Sequence, residues 1–203
     1  MKKIVLFLSA LYGVVACNAP AKPEVSAPAT STDNAKILIA YFSHSGENYG
    51  VGNIREGNTQ KVAQEIARQT NGTLFRIQTV QKYPADYKAC SKQAQEEKEK
   101  NARPELTATV ENMDAYDVVY IGYPIWWGDM PMAVYTFLDS YSWDGKNVYP
   151  FATHEGSGLA DTVNSLKKAL PRANVKDGLE LKGHVAQKEP EIVQRAVRHW
   201  LTE

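Results

Sequence analysis

The sequence predicts a doubly wound α/β domain, and three observations predict it. Apolar runs at 36–42, 73–79, 117–123, 147–153 and 179–186 alternate with helical patterns at 59–70, 83–101, 130–141, 158–170 and 190–201. Strands that alternate with helices pair in parallel through right-handed crossovers. The runs ILIAYF and DVVYIGY are almost unbroken in apolar character, as strands covered on both faces are. The first run then ends abruptly in hydroxyls and glycine, AYFSHSG, and a helical pattern opens at NTQKVA. That is a strand, a polar loop and a helix N-terminus in series, the arrangement that holds anions.

The chain begins with a segment that does not belong to this domain. Lys2 and Lys3 precede the short apolar run from Ile4 to Ala10, and Val14-Val15-Ala16-Cys17 follows. A positive flank, a short apolar stretch and a small residue before the cut make a signal peptide over residues 1–17. The run is too short and too interrupted for a membrane span. The VVAC tetrapeptide resembles a bacterial lipobox, which implies lipidation of Cys17 and a membrane-anchored lipoprotein exported to the cell envelope. Each buried methylene of an acyl chain contributes about 0.8 kcal/mol, so several chains anchor a soluble domain stably. Residues 18–35 are rich in Ala, Pro, Ser and Thr. They have too few large apolar side chains to form a core and read as a flexible tether.

Within 36–203, each helix follows from its pattern. Val62, Ala63, Ile66 and Ala67 share one face, and Asn71-Gly72 stops that helix. The helix at 83–101 is polar and charged and ends before Arg103-Pro104. The one at 158–170 is ended by Pro171, and Pro190 opens the last. Cys90 lies in the lysine-rich second helix and reads as a partly buried helix residue. With Cys17 lipidated it is the remaining thiol, so a disulfide within the mature domain is excluded.

Composition narrows the function classes. The chain has 203 residues, 43% of them hydrophobic, enough for one ordinary core. Lys plus Arg and Asp plus Glu both number 23, a balance that argues against a nucleic-acid partner. Loss of residues 1–16 removes two lysines and no acid, which leaves 21 cations against 23 anions.

In a doubly wound sheet, ligands sit where strands end, at the switch in strand order. Three strand-end loops carry the chemistry here. The first offers Ser43, Ser45, Gly46, Asn58 and Thr59, without the lysine of a nucleotide-triphosphate loop. Such a loop holds a phosphate through neutral donors and the positive end of a helix dipole, as the phosphate of FMN is held. The second runs Pro124-Ile125-Trp126-Trp127-Gly128-Asp129. Adjacent tryptophans cost solubility unless one packs and the other covers a ligand, and a flat isoalloxazine ring suits an aromatic face. The third runs Thr153-His154-Glu155-Gly156-Ser157-Gly158.

These three loops, in this order, resemble those of the flavodoxin superfamily. Tyr41-Phe42-Ser43, Ser45-Gly46, Gly57-Asn58-Thr59 and Val62-Ala63 match its first-loop pattern. YDVVYIGYPIWWG, FATHEGSG and GLELKG are similar to a bacterial branch of flavodoxin-like proteins with many exported lipoproteins. The resemblance implies a three-layer sandwich around a five-stranded parallel sheet of order 2-1-3-4-5, with FMN bound noncovalently. It carries Ser43, Ser45, Gly46, Asn58 and Thr59 over as phosphate-loop residues. Pro124, Ile125, Trp126, Trp127 and Gly128 then lie beside the flavin ring, with Thr153, His154, Glu155, Gly156 and Gly158 along its other edge. No catalytic residue and no metal site is implied. Gly128 matches a turn whose peptide flips toward the reduced ring, and glycine permits the positive φ this needs.

Two departures stand out. Glu47 to Glu56 splits the first loop, and the insert either bulges outward or folds over the flavin as a lid, with Arg55 in reach of the phosphate or in solvent. The third loop lacks the second stacking aromatic of many electron carriers, which His154 replaces in part or which leaves a face open to substrate. Apolar walls at Trp126 and Trp127, with no Lys or Arg nearby, disfavour negative charge on the reduced ring. His154 and Glu155 read as hydrogen-bonding or capping residues more than as an acid–base pair. His44 reads as solvent-facing, and His184 and His199 have no evident partner. The leading expectation is a flavoprotein that carries electrons to a redox partner or reduces a small acceptor. The alternatives are a nicotinamide-dependent quinone or azo-type reductase and a flavin-free binding module of the same fold.

Overall fold

A computed structural model describes residues 36–203. The expected signal peptide, Cys17 and the expected tether lie outside the described residues. In chain order the strands are β1 (Ile37–Phe42), β2 (Gly46–Asn48), β3 (Gly52–Ile54), β4 (Thr73–Ile77), β5 (Val118–Pro124), β6 (Asn147–His154), β7 (Asn174–Val175) and β8 (Leu179–Lys182). The helices are α1 (Asn58–Thr70), α2 (Tyr87–Glu99), α3 (Met132–Asp139), α4 (Thr162–Ala169), α5 (Gly183–Lys188) and α6 (Pro190–Trp200).

The main sheet runs β4-β1-β5-β6, all parallel. On the far side of β6, β7 pairs with Asn147 and Val148 while β8 pairs with Phe151 to His154. Counting β7 and β8 as one interrupted strand gives the expected order 2-1-3-4-5. The strands alternate in the two-residue period of a pleat. Leu38, Ala40, Phe42, Ile121 and Val148 face one buried cluster, completed by α3 and α4 through Val134, Phe137 and Leu166. Ile39, Tyr41, Tyr120 and Phe151 face the other, completed by Val62 and Ile66 of α1 and Val197 and Trp200 of α6. Both faces are covered, which is why these strands read as unbroken apolar runs.

Three boundaries differ from the sequence expectation. The second helix begins at Tyr87 rather than 83, because Pro84 precedes it and Asp86 caps it, accepting from the Ala89 amide at 2.8 Å. Gly158 and Ala160 have φ of 58° and 48°, so helix α4 starts only at Thr162. Residues 183–186, expected as strand, are helix α5. Glu155 accepts from the His184 amide at 2.7 Å and so caps the first turn. The insert forms a small antiparallel hairpin, β2–β3, that the sequence reading does not contain. No helix among the described residues is long and apolar enough to cross a membrane.

Candidate functional site

The strand C-termini bring the three loops to one rim, and two hydrogen bonds and a ring contact tie them together. The Thr59 and Thr153 hydroxyls meet at 2.8 Å, both side chains buried, which links the start of α1 to the end of β6. The Ile125 amide donates to the Thr153 carbonyl at 2.9 Å, which links the second loop to the third. His44 meets Trp126 edge-on, ring centroids 5.8 Å apart, which links the first to the second. Between them opens a cleft of about 360 Å³.

In the second loop, Trp126 and Asp129 exchange two backbone hydrogen bonds, at 2.9 and 3.0 Å. Trp127 and Gly128 between them have φ of 53° and 72°. This is the tight reverse turn with positive φ at both central positions, and glycine is the residue that adopts it without strain. The two tryptophans part company. Trp126 packs edge-to-face on Phe42, Tyr83 and His44. Trp127 is 51% exposed and borders the cleft, its indole N–H held by the Ser91 carbonyl at 2.9 Å. The environment is less apolar than expected, because Lys98 of α2 donates to the Trp127 carbonyl at 2.6 Å. A cation therefore stands at the turn.

In the third loop, His154 is a buried organiser. Its Nδ1 accepts from the amides of Gly156 and Gly158 at 2.9 and 3.1 Å. That leaves the proton on Nε2, which faces the Glu180 carboxylate. The ring is buried beneath the loop and also lines the cleft. Glu155 lines the cleft and grips His184 by both the amide and Nδ1, the latter at 2.8 Å. His184 thus has a partner, as has His199, whose Nε2 lies 3.1 Å from Glu203.

The first loop divides its residues. Ser43 is buried and accepts from the Gln60 amide at 3.0 Å, which caps α1. Gly57 lies so close beneath it that a Cβ there would stand 2.2 Å from Ser43 Oγ. Asn58 lines the cleft, its Oδ1 accepting from Gln187 at 2.9 Å, and no acid occupies the first turn of α1. Ser43 and Ser45 line a second, neighbouring cavity rather than the cleft, and Gly46 packs on Ala85. His44 is not solvent-facing: it is half-buried, and burial pushes its pKa below the ordinary value. Arg55 is exposed and borders neither cavity.

The β2–β3 hairpin closes one side of the cleft with Glu47, Asn48 and Tyr49, and its tip at Gly50 lies against the Glu155 side chain. Glu47 also accepts from the Tyr87 amide at 3.3 Å, which ties the hairpin to α2. Tyr49 and Tyr87 stand with ring centroids 6.1 Å apart and are 67% and 42% exposed. With Trp127 they make three exposed aromatics around one opening. Tyr49 falls in the insert that the sequence singled out, whereas Tyr87, Ser91 and Lys98 were missed by the sequence reading. The nearest signal was the pair of tyrosines in YPADYK, read there as the start of a polar, charged helix. Cys90 is buried at the cleft wall, and burial pushes its thiol up to about 12, so it is inert at neutral pH. No cluster of metal-ligating side chains occurs among the described residues.

The residues fit a phosphorylated planar ligand. Asn58, at the start of a helix with no acid in its first turn, and the exposed rings of Tyr49, Tyr87 and Trp127 line the same cleft. A Cβ built at Gly128 or Gly156 meets nothing, so the rim there is open.

Comparison with known proteins gives the same direction. A family model described as Flavodoxin matches residues 36–198. A candidate flavoprotein from Bacteroides eggerthii DSM 20697, of known structure, is 34% identical with a TM-score of 0.67, over 83% of this chain and 97% of that one. A second, from Bacteroides uniformis ATCC 8492, is 30% identical with a TM-score of 0.67, over 84% and 100%. A flavoprotein from Lactobacillus acidophilus NCFM, solved in complex with FMN, shares the fold at 24% identity and a TM-score of 0.59, over 77% and 99%. No curated protein matches the chain.

Proposed function

This chain belongs to the flavodoxin family, and on that premise we propose that its rim cleft holds FMN noncovalently and serves electron transfer to, or reduction of, a small planar acceptor. One observation carries the reading. Three loops in mutual contact border a cleft of about 360 Å³ that Asn58, at the start of α1, lines together with exposed Trp127 and Tyr49. That a protein of this fold is known with FMN supports the choice of ligand. Bound FMN supplies the electron and hydride chemistry, which is the cofactor's own. Asn58 and the first amides of α1 receive the phosphate, where the helix dipole favours negative charge. The ring of Trp127 covers one side of the flavin. Lys98 holds the Trp127 turn in place. His154 fixes the third loop, and Glu155 with His184 sets its distance from the hairpin. Tyr49 and Tyr87 are left at the mouth, where a planar acceptor stacks.

The test uses the FMN-loaded chain, reduced with dithionite without oxygen and mixed with a benzoquinone in stopped flow. Reoxidation faster than that of free reduced FMN, and slowed several-fold by Tyr49→Ala with the FMN content unchanged, is expected. A rate no faster than free reduced FMN contradicts the acceptor reading.

We further propose that this chemistry sits at the cell envelope, on a lipid anchor at Cys17 with residues 18–35 as spacer; the leader-like sequence of residues 1–17 supports this reading. Labelling with radioactive palmitate in a bacterial host is expected for the full chain and absent in Cys17→Ser; equal labelling of both contradicts the anchor.

A further inference from the structure

Among the described residues, five large apolar or aromatic side chains are exposed: Tyr49, Leu74, Val80, Tyr87 and Trp127. Three of the five, Tyr49, Tyr87 and Trp127, line one cleft. Specific bonds hold them there. Tyr87 and Ser91 lie one turn apart on α2 and so share a helix face. The Trp127 indole is fastened to the Ser91 carbonyl at 2.9 Å. Tyr49 is brought to the same helix by its hairpin, whose Glu47 amide donates to the Ala85 carbonyl at 2.8 Å. The Tyr49 and Tyr87 rings are tilted by 35° with centroids 6.1 Å apart, and each leaves much of its surface in water.

The charge along the same cleft is one-sided. Glu47 and Glu155 line it, and no Lys or Arg does. Glu155 is paired with His184. Glu47 has a long bond from the Tyr87 amide, at 3.3 Å, and forms no ion pair among the described residues. The lining histidines do not offset it. Burial lowers the pKa of His44 and keeps that ring neutral at pH 7. His154 Nδ1 accepts from two backbone amides, so that nitrogen carries no proton. Lys98 is engaged by the Trp127 carbonyl at 2.6 Å and the Asp129 carboxylate at 3.9 Å, and it does not line the cleft.

From a Glu47 carboxylate without a countercharge beside two exposed tyrosine rings, in a cleft lined by no Lys or Arg, we infer that this site selects its acceptor by charge. It takes planar organic cations, such as N-alkylated nitrogen heterocycles, and turns away planar anions. The selection rests on the FMN reading above and deepens it: Trp127 covers the flavin, which leaves Tyr49, Tyr87 and Glu47 for the acceptor. Electrons come from the reduced flavin as already proposed, and the choice is made when the oxidised acceptor binds. A cation over an exposed aromatic face gains roughly two- to fivefold in binding. A full charge about 4 Å from a carboxylate in water is worth roughly fivefold, in favour of a cation and against an anion. The phosphate of FMN adds negative charge to the same cleft and sharpens the choice.

Three probes with one ring system and different charge test this: N-methylphenazinium, phenazine and phenazine-1-carboxylate. Each is titrated in the dark, at low and constant ionic strength, into the full chain in its oxidised, FMN-loaded form. Binding in the order cation, neutral, anion is expected, with the cation at least about tenfold tighter than the carboxylate. Glu47→Gln keeps an oxygen for the Tyr87 amide; it should narrow that ratio several-fold and leave phenazine binding unchanged. Tyr49→Ala should weaken the cation several-fold, and Tyr49→Phe, which retains the ring, should restore it. Equal affinity of cation and anion overturns the inference. So do tighter binding of the anion, a ratio that Glu47→Gln leaves unchanged, and no saturable binding of any probe. The cofactor reading fails separately, by a chain that takes up no FMN. In the FMN-free chain the anion also has the N-terminus of α1 to occupy, so N-methylphenazinium alone decides there: several-fold weaker binding in Glu47→Gln supports charge selection, and unchanged binding overturns it. A chain that holds FMN but shows no charge preference contradicts the selection and leaves the cofactor assignment standing.

Discussion

Trp126 and Trp127 are adjacent in sequence and both line the cleft, but Trp126 is half-buried and Trp127 exposed. The turn with positive φ at Trp127 and Gly128 sends one indole into the Phe42–Tyr83–His44 cluster and leaves the other at the cleft mouth. Substitution separates the two roles. Trp126→Ala empties a packed position and should lower stability to urea by about 2–3 kcal/mol, toward the lower end for large-to-small changes in a core. Trp127→Ala should stay within about 0.5 kcal/mol of the parent, as exposed positions do. It should weaken FMN binding by roughly 3- to 10-fold, the value of one aromatic contact. Equal effects of the two on stability contradict this division. His44 gives a pH signature at the same scale. Burial holds its folded pKa below the ordinary 6.5, so on acidification the unfolded chain takes the proton first. The stability contributed by this group is complete above pH 6.5 and falls as the pH drops from there through the lower folded value. Melting at pH 7.5 and 5.5 should show a smaller acid-induced loss in His44→Gln than in the parent.

The elements of the rim differ in how much of them could be read in advance. Strands β1, β5 and β6 announce themselves as apolar runs because both their faces are buried, and their ends fix where the loops meet. The β2–β3 hairpin leaves no such mark. Its strands are three residues each and partly or fully exposed, too short for a two-residue period to stand out. It is held in place by Glu47 contacts to Ala85 and Tyr87, far along the chain. The same holds for α2, whose Ser91 and Lys98 reach the Trp127 turn across a tertiary contact, and for α5, capped by Glu155 from another loop. The interrupted β7–β8 edge lay at the weakest of the apolar runs. The joint between α1 and β6 is testable at this scale. Thr153→Val leaves the buried Thr59 hydroxyl without a partner, which costs about 1–3 kcal/mol. It should lower the melting point and weaken FMN binding together. Loss of neither shows that the Thr59–Thr153 bond does not couple the two loops.

At the scale of the whole molecule, the sheet order places the cleft. β1 lies between β4 and β5, so the chain leaves it in opposite directions, and the crevice forms where the order reverses. Everything assigned to the cleft depends on that crevice accepting FMN through both its phosphate and its ring. Ligand that binds only the folded state raises the melting temperature by mass action. The most direct measurement is a parallel titration of the full chain with FMN and with riboflavin, following flavin fluorescence and melting temperature. The account predicts that FMN is quenched at one equivalent and raises the melting point, and that riboflavin, without the phosphate, binds more weakly. FMN fluorescence left unquenched and a melting point left unmoved at excess ligand would contradict it.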